Sequence, residues 1–220
     1  PLGYRAVGTG SARIGSMSAM ADETWDIAGK RVLLTVGYRG IGKAATMELV
    51  KRGAEVVITA RDPSKGEAAE ASIREESGGS ISWRLLDLAS FASIRKFAKE
   101  FEKDFDALDV LIHNAGLTLY KRQETEDGIE TTFGTNHIGP FLLNQLLEPL
   151  VKRSAPARIV VVASTAHERV PGGMDFDDLE SKKSYSGFKV YSYSKLANIL
   201  FTRELARRLE GSGVTANCLH

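Results

Sequence analysis

The chain has 220 residues, 43% of them hydrophobic and 26% charged, with a formal net charge of +1 and one cysteine. A charge so near zero offers no general attraction to nucleic acid or to an anionic membrane, and a lone Cys218 excludes an internal disulfide framework. No stretch approaches the ~20 consecutive apolar residues that a membrane-spanning helix requires. The expectation is one soluble, cytoplasmic domain with Cys218 as a small buried residue.

Pro1 to Ala19 are rich in Gly, Ser and Ala and show no apolar period, whereas Met20-Ala21-Asp22-Glu23-Thr24-Trp25 reads like a natural start. Residues 1–28 are therefore expected to form a flexible leader and 29–220 the folded domain. From Lys30 onward, short β-branched runs alternate with helical patterns, the signature of repeated βαβ units. Arg31 to Thr35 is the first strand; a Gly-containing turn opens a helix from about Ile41 to Arg52, closed by Gly53. Ala54 to Ala60 is the second strand, and Asp62-Pro63 supplies an N-cap and a first-turn proline for a helix that Gly78-Gly79 ends.

Ile81 to Leu86 makes a third strand, and Ser90 then caps a helix whose Phe91, Ile94, Phe97, Ala98 and Phe101 recur at helical spacing. Leu108 to Ile112 runs into His113-Asn114-Ala115-Gly116, and a long helix follows from about Gly128 to Val151, kinked by Pro140. Arg158 to Ala163 is the fifth strand. A polar segment with Pro171, Gly172 and Gly173 leads to a helix around Tyr191 to Glu210, capped by Gly211, and Val214 to Leu219 begins a sixth strand. The predicted architecture is α/β: a Rossmann-type, doubly wound parallel sheet flanked by helices, truncated after that strand.

Such sheets bind ligands at the carboxyl ends of their strands, where the first strand-to-helix turn offers helix N-terminal amides to a pyrophosphate. Here the turn is Thr35-Val36-Gly37-Tyr38-Arg39-Gly40-Ile41-Gly42, with glycines where a Cβ would block the approach of phosphate to backbone. A 2′-phosphate needs a cation near the end of the second strand, and Arg61 stands there, with Arg39 in the turn able to reach the same group. The pair points to NADP(H).

Reducing a carbonyl by hydride also needs a proton, which a tyrosine can supply if its ordinary pKa of about 10 is brought towards neutrality. At ~4 Å and an effective dielectric near ~20, an ammonium attracts a phenolate by about 4 kcal/mol. Tyr191 and Lys195 stand four apart on one helix face. Tyr185 and Lys189 share the interval, but Gly187 lies between them and ahead of the apolar helical period, so Tyr191 is preferred. Ser164, where the fifth strand ends, is placed to hydrogen-bond the substrate oxygen, and Asn136 to organise a water path to Lys195.

With these residues in place, the sequence resembles the short-chain dehydrogenases/reductases (SDR), particularly their retinol-dehydrogenase-like branch. The resemblance covers nearly all of Gly29 to His220, through Gly40-Ile41-Gly42, Asp87-Leu88, His113-Asn114-Ala115-Gly116, Asn136-His137-Ile138-Gly139, Ser164, and Tyr191 with Lys195. It implies a catalytic tetrad of Asn136, Ser164, Tyr191 and Lys195. Lys195 would also hold the nicotinamide ribose, Asp87 would contact adenine, and Asn114 to Gly116 would line the cofactor site with Gly37, Arg39, Gly40, Ile41, Gly42, Arg61 and Leu88. No metal is implied. The substrate would be a small alcohol or carbonyl compound, retinoid- or steroid-like, and association into a homodimer or homotetramer is expected.

Two departures from the family pattern stand out. Val36 replaces a glycine of the turn, which predicts a strained backbone or weakened cofactor binding. The chain also stops where the family continues with a substrate-covering segment. They motivate an alternative, a catalytically weak cofactor-binding or regulatory protein. The glycine spacing and the Asn-Ala-Gly run argue against a nucleotide-sugar epimerase or dehydratase.

Overall fold

Strand β1 (Arg31–Thr35) runs through the middle of the molecule, with Val32, Leu33 and Leu34 fully buried. The computed structural model describes residues 25–170 and 172–220. β1 is flanked by β2 (Glu55–Ala60) and β4 (Val110–His113); β3 (Ile81–Leu85) lies outside β2, and β5 (Ala157–Val162) and β6 (Val214–Leu219) continue beyond β4. All five pairings are parallel and the order is β3-β2-β1-β4-β5-β6. Successive side chains of a strand point to opposite faces. Val32, Val56 and Ile58 accordingly form one core under α1 (Gly40–Lys51) and α2 (Pro63–Ser77). Leu33, Val57, Leu111 and Ile159 form a larger one with α3 (Phe91–Asp104) and α5 (Gly139–Arg153).

Local signals act as expected at several ends. Asp62 accepts from Ser64 N–H at 3.1 Å and Ser90 from Ser93 N–H at 3.2 Å, while Gly78 ends α2 at φ +67. Several expectations need correction. The long helix starts at Thr131, not Gly128. Glu130, fully buried, caps the short α4 (Thr131–Phe133), its carboxylate accepting from the Thr132 and Phe133 N–H groups at 3.0 and 2.6 Å. The distortion falls N-terminal to Pro140, as a π-helical turn over Gly134–Ile138, because a proline leaves the carbonyl four residues earlier without its donor.

The last helix, α6 (Gly187–Arg208), begins a turn before Tyr191 and ends short of Glu210. Cys218 is exposed on β6 rather than buried. The expected leader lies outside the described residues as far as position 24, but Trp25 and Ile27 already pack against the α1–α2 core. Pro171 also lies outside them.

Candidate active site

The strand order reverses between β1 and β4, which opens a crevice at their carboxyl ends. Its floor is a polar stitch that the sequence reading missed. Thr35, fully buried at the end of an aliphatic strand, donates its hydroxyl to the Ile112 carbonyl at 3.3 Å and accepts from the Asn114 and Ala115 N–H groups at 2.9 and 3.0 Å. The Asn114 side-chain amide donates back to the Thr35 and Val36 carbonyls at 3.0 and 3.2 Å. A lone threonine closing a run of buried aliphatics was the available signal.

Val36 sits at φ +56 and Gly40 at +53. The left-handed region costs a β-branched residue about 1–3 kcal/mol, and the interlocked neighbours hold Val36 there. Gly42 is fixed by close approach: a Cβ would lie 2.4 Å from the Val36 carbonyl oxygen and 2.6 Å from Asn114 Nδ2. Gly37 is buried against Ile58 and Thr46. Helix α1 then begins with Arg39 as N-cap residue, in extended backbone, with no side-chain cap and no acidic residue in its first turn. The positive end of the helix is left to whatever anion the crevice receives.

Two clefts open from this turn. One is lined by Val36, Tyr38, Arg39, Arg61, Asp87 and Leu88; the other by Ile41, Asn114, Ser164, Tyr191 and Lys195. They share Gly116 and Leu117 and so form one trough across the strand ends. At the first end Arg39 and Arg61 are exposed, with the Arg39 guanidinium 5.7 Å from the Tyr38 ring centroid. The Asp87 carboxylate accepts from Ala89 N–H at 2.9 Å.

At the second end, Lys195 is only 3% exposed; its Nζ donates to the Val162 carbonyl at 2.9 Å and lies 5.6 Å from the Tyr191 ring centroid. Burial pushes its pKa down from 10.5 to about 8, so it stays mostly protonated at pH 7. Ser164 caps the 3-10 turn Thr165–Arg169, its Oγ accepting from Ala166 N–H at 3.2 Å, which leaves the hydroxyl proton to donate elsewhere.

Asn136 is 1% exposed within the π-helical turn. Its Oδ1 accepts from Leu117 N–H at 2.8 Å, and its Nδ2 donates to the Leu117 carbonyl at 2.8 Å and to Ser194 Oγ at 3.1 Å. Ser194 Oγ in turn donates to the Tyr191 carbonyl at 2.7 Å. The Asn136 side chain is a strut between the loop after β4 and helix α6.

The competing Tyr185 is occupied elsewhere. Its hydroxyl donates to the Leu119 carbonyl at 2.9 Å and lies 3.3 Å from Glu130 Oε1; burial, with the Glu130 carboxylate beside it, raises its pKa. Lys189 Nζ lies over the Tyr193 ring, 5.2 Å from its centroid. Gly187 is inside α6, contrary to expectation, in contact with the Leu119 carbonyl.

A family model described as short chain dehydrogenase matches residues 30–175. The chain belongs to the short-chain dehydrogenases. Among relatives of this family, retinol dehydrogenase 14 of Homo sapiens is 48% identical over 206 residues, 87% of this chain and 61% of that protein. Retinol dehydrogenase 12 of Mus musculus is 48% identical over 195 residues, 88% of this chain and 61% of that protein. The chain thus spans about three fifths of the length of the curated relatives it matches. Among solved structures, an uncharacterized protein from Mycobacterium paratuberculosis superposes with a TM-score of 0.76 at 40% identity, covering 88% of this chain and 68% of that one. The RhlG/NADP active-site complex of Pseudomonas aeruginosa gives a TM-score of 0.72 at 29% identity over 88% of this chain and 72% of that one.

Proposed function

We propose that residues 29–220 form the cofactor-binding and catalytic domain of an NADP(H)-dependent oxidoreductase that interconverts an alcohol and a carbonyl compound. The observation that carries this reading is the continuous trough, with Tyr191 and Lys195 at one end and Arg39 and Arg61 at the other. An uncapped helix N-terminus and a glycine that no Cβ could replace are what a pyrophosphate requires, so the residues present fit a dinucleotide. Two cations at the adenosine end favour NADP(H) over NAD(H). Gly37, Gly40, Ile41 and Gly42 would hold the pyrophosphate; Asp87, Leu88 and Asn114 to Gly116 would line the remaining cofactor surface.

When bound, the nicotinamide supplies or takes up a hydride. In the reducing direction Tyr191 Oη donates its proton to the oxygen that becomes the alcohol, and the Ser164 hydroxyl donates a hydrogen bond to the same oxygen. The Lys195 ammonium stabilises the negative charge that develops on Tyr191, and Asn136 holds the Leu117 loop against α6. The retinol dehydrogenase relatives support an apolar, retinoid- or steroid-like substrate. Cysteine usage supports a cytoplasmic setting, and no helix among the described residues is long and apolar enough to cross a membrane. Association into a homodimer or homotetramer would use α5 and α6, where Phe141 and Leu200 are exposed beside a groove.

The test is NADPH-dependent reduction of an apolar aldehyde such as retinaldehyde by the purified chain and by Tyr191→Phe. Turnover by the parent, reduced by about 10³-fold in the variant with NADPH binding kept, is expected. Nucleotide binding without turnover would instead mark a cofactor-binding protein, and absence of NADPH binding overturns the reading.

A further inference from the structure

A second buried amide stands behind the first. The carbonyl of Asn136 would ordinarily accept from the N–H four residues on, and that residue is Pro140, which has none. A buried carbonyl deprived of its helical donor needs another. Asn198 supplies it from α6: its Nδ2 donates to the Asn136 carbonyl at 3.1 Å. Asn198 is itself 3% exposed, and its own carbonyl accepts from the Thr202 hydroxyl at 2.7 Å.

The orientation of this amide follows from chemistry. A carbonyl can only accept, so the Asn198 atom that faces Asn136 is the NH2 group, and Oδ1 points the other way. Oδ1 lies 3.0 Å from His137 Nδ1, which must therefore carry the ring proton. Burial lowers the His137 pKa below its ordinary 6.5, which keeps the ring neutral at pH 7. Phe133 and Phe201 pack against that ring at 5.4 and 6.1 Å between centroids.

We infer that Asn198, oriented by His137, is a positioning residue for the catalytic site. It anchors the main chain of Asn136 to α6, so that the Asn136 side chain reaches both edges of Leu117 and holds the loop between the two halves of the trough. Asn136 is then fixed from three sides: Leu117, Ser194 and Asn198. The inference deepens the oxidoreductase reading and rests on it for its kinetic consequence, but its structural core stands apart from activity.

The test compares the full chain with Asn198→Asp and Asn198→Leu. The aspartate keeps the shape and the acceptor towards His137 but loses the donor towards Asn136; the leucine loses both. Hydrogen exchange at the Leu117 amide is the first readout, and both variants are expected to exchange about tenfold faster there while the β1 and β2 amides keep their protection. Retinaldehyde reduction is the second: kcat falls about tenfold in both variants, with KM and NADPH affinity within about threefold of the parent.

Unchanged Leu117 protection in a folded Asn198→Asp overturns the inference. So does an activity loss that merely follows a falling folded fraction, with β1 and β2 amides deprotected alongside Leu117. If the parent turns over no carbonyl substrate, the oxidoreductase reading fails, and the Leu117 exchange still decides whether Asn198 positions Asn136.

Discussion

The two ends of the trough are built by opposite means. At the Tyr191–Lys195 end Asn136, Ser194, Lys195 and Asn198 are each no more than 3% exposed, and each is hydrogen-bonded within the protein. At the Arg39–Arg61 end both arginines are exposed, α1 has no side-chain cap, and Val36 is held in the left-handed region. One end is preorganised by the chain alone; the other leaves positive charge unmet until an anion arrives. Substitutions should therefore act on chemistry at the first and on affinity at the second.

The largest break in that contrast is Lys195→Met, which removes the ammonium beside Tyr191. A fall in kcat of about 10³-fold, equivalent to about 4 kcal/mol, is expected in steady-state retinaldehyde reduction. In the parent, kcat/KM for reduction should decline above about pH 8 as Lys195 loses its proton.

His113 is the exception that sharpens the comparison, since it is 3% exposed at the end of β4 and, with the Asn144 side chain near it, neither ring nitrogen makes a hydrogen bond of ordinary length among the described residues. Burial lowers its pKa from 6.5 to about 4. Above 6.5 the ring is neutral in folded and unfolded chains alike. As pH falls from 6.5 through 4 only the unfolded chain takes up the proton, so about 3 kcal/mol of stability is lost across that window. Urea denaturation at pH 7 and pH 4.5 should show His113→Leu losing less stability than the parent on acidification. Equal losses would mean that the buried ring contributes nothing to acid sensitivity.

Smaller effects belong to the exposed end. Arg61→Ala should weaken NADPH binding by about 30-fold, or about 2 kcal/mol, and leave NADH nearly unchanged, as read by nicotinamide fluorescence. Equal weakening of both nucleotides would remove Arg61 from contact with the 2′-phosphate. Smallest is Val36→Gly, expected to raise stability by about 1 kcal/mol in thermal unfolding and to tighten NADPH binding modestly.

Much of this was readable from local pattern. β1 and β6 begin and end at the predicted residues; the aliphatic β1 lies between Gly29 and Gly37, and Gly213 marks the start of β6. The start of α6 was not readable, since Gly187 enters the helix by fitting against Leu119, far away in sequence. The π-helical turn escaped for a related reason: Pro140 announces a defect, but the lost bond belongs to Asn136, one turn earlier. In the site itself, the interval of Tyr191 and Lys195 was shared by Tyr185 and Lys189, and only the apolar helical period after Lys195 separated the pair that the structure brings to one cleft. The roles of Leu117, Ser194 and Asn198 depend on which side chains meet across folded elements, which spacing along one chain does not record.

The exchange between Asn136 and Leu117 has an architectural meaning. In an antiparallel pair, a residue can give its N–H and its C=O to one residue across the gap, and Leu117 is bonded in that manner by a side chain, although β4 ends at His113 and, among the described residues, no strand lies opposite. A carboxamide has the same donor and acceptor as a peptide group, so one side chain supplies both bonds that an antiparallel neighbour would supply. The chain there is held in place by a side chain while Gly116 and Leu117 remain in the lining of both clefts, where a paired strand would have stood between them and the crevice.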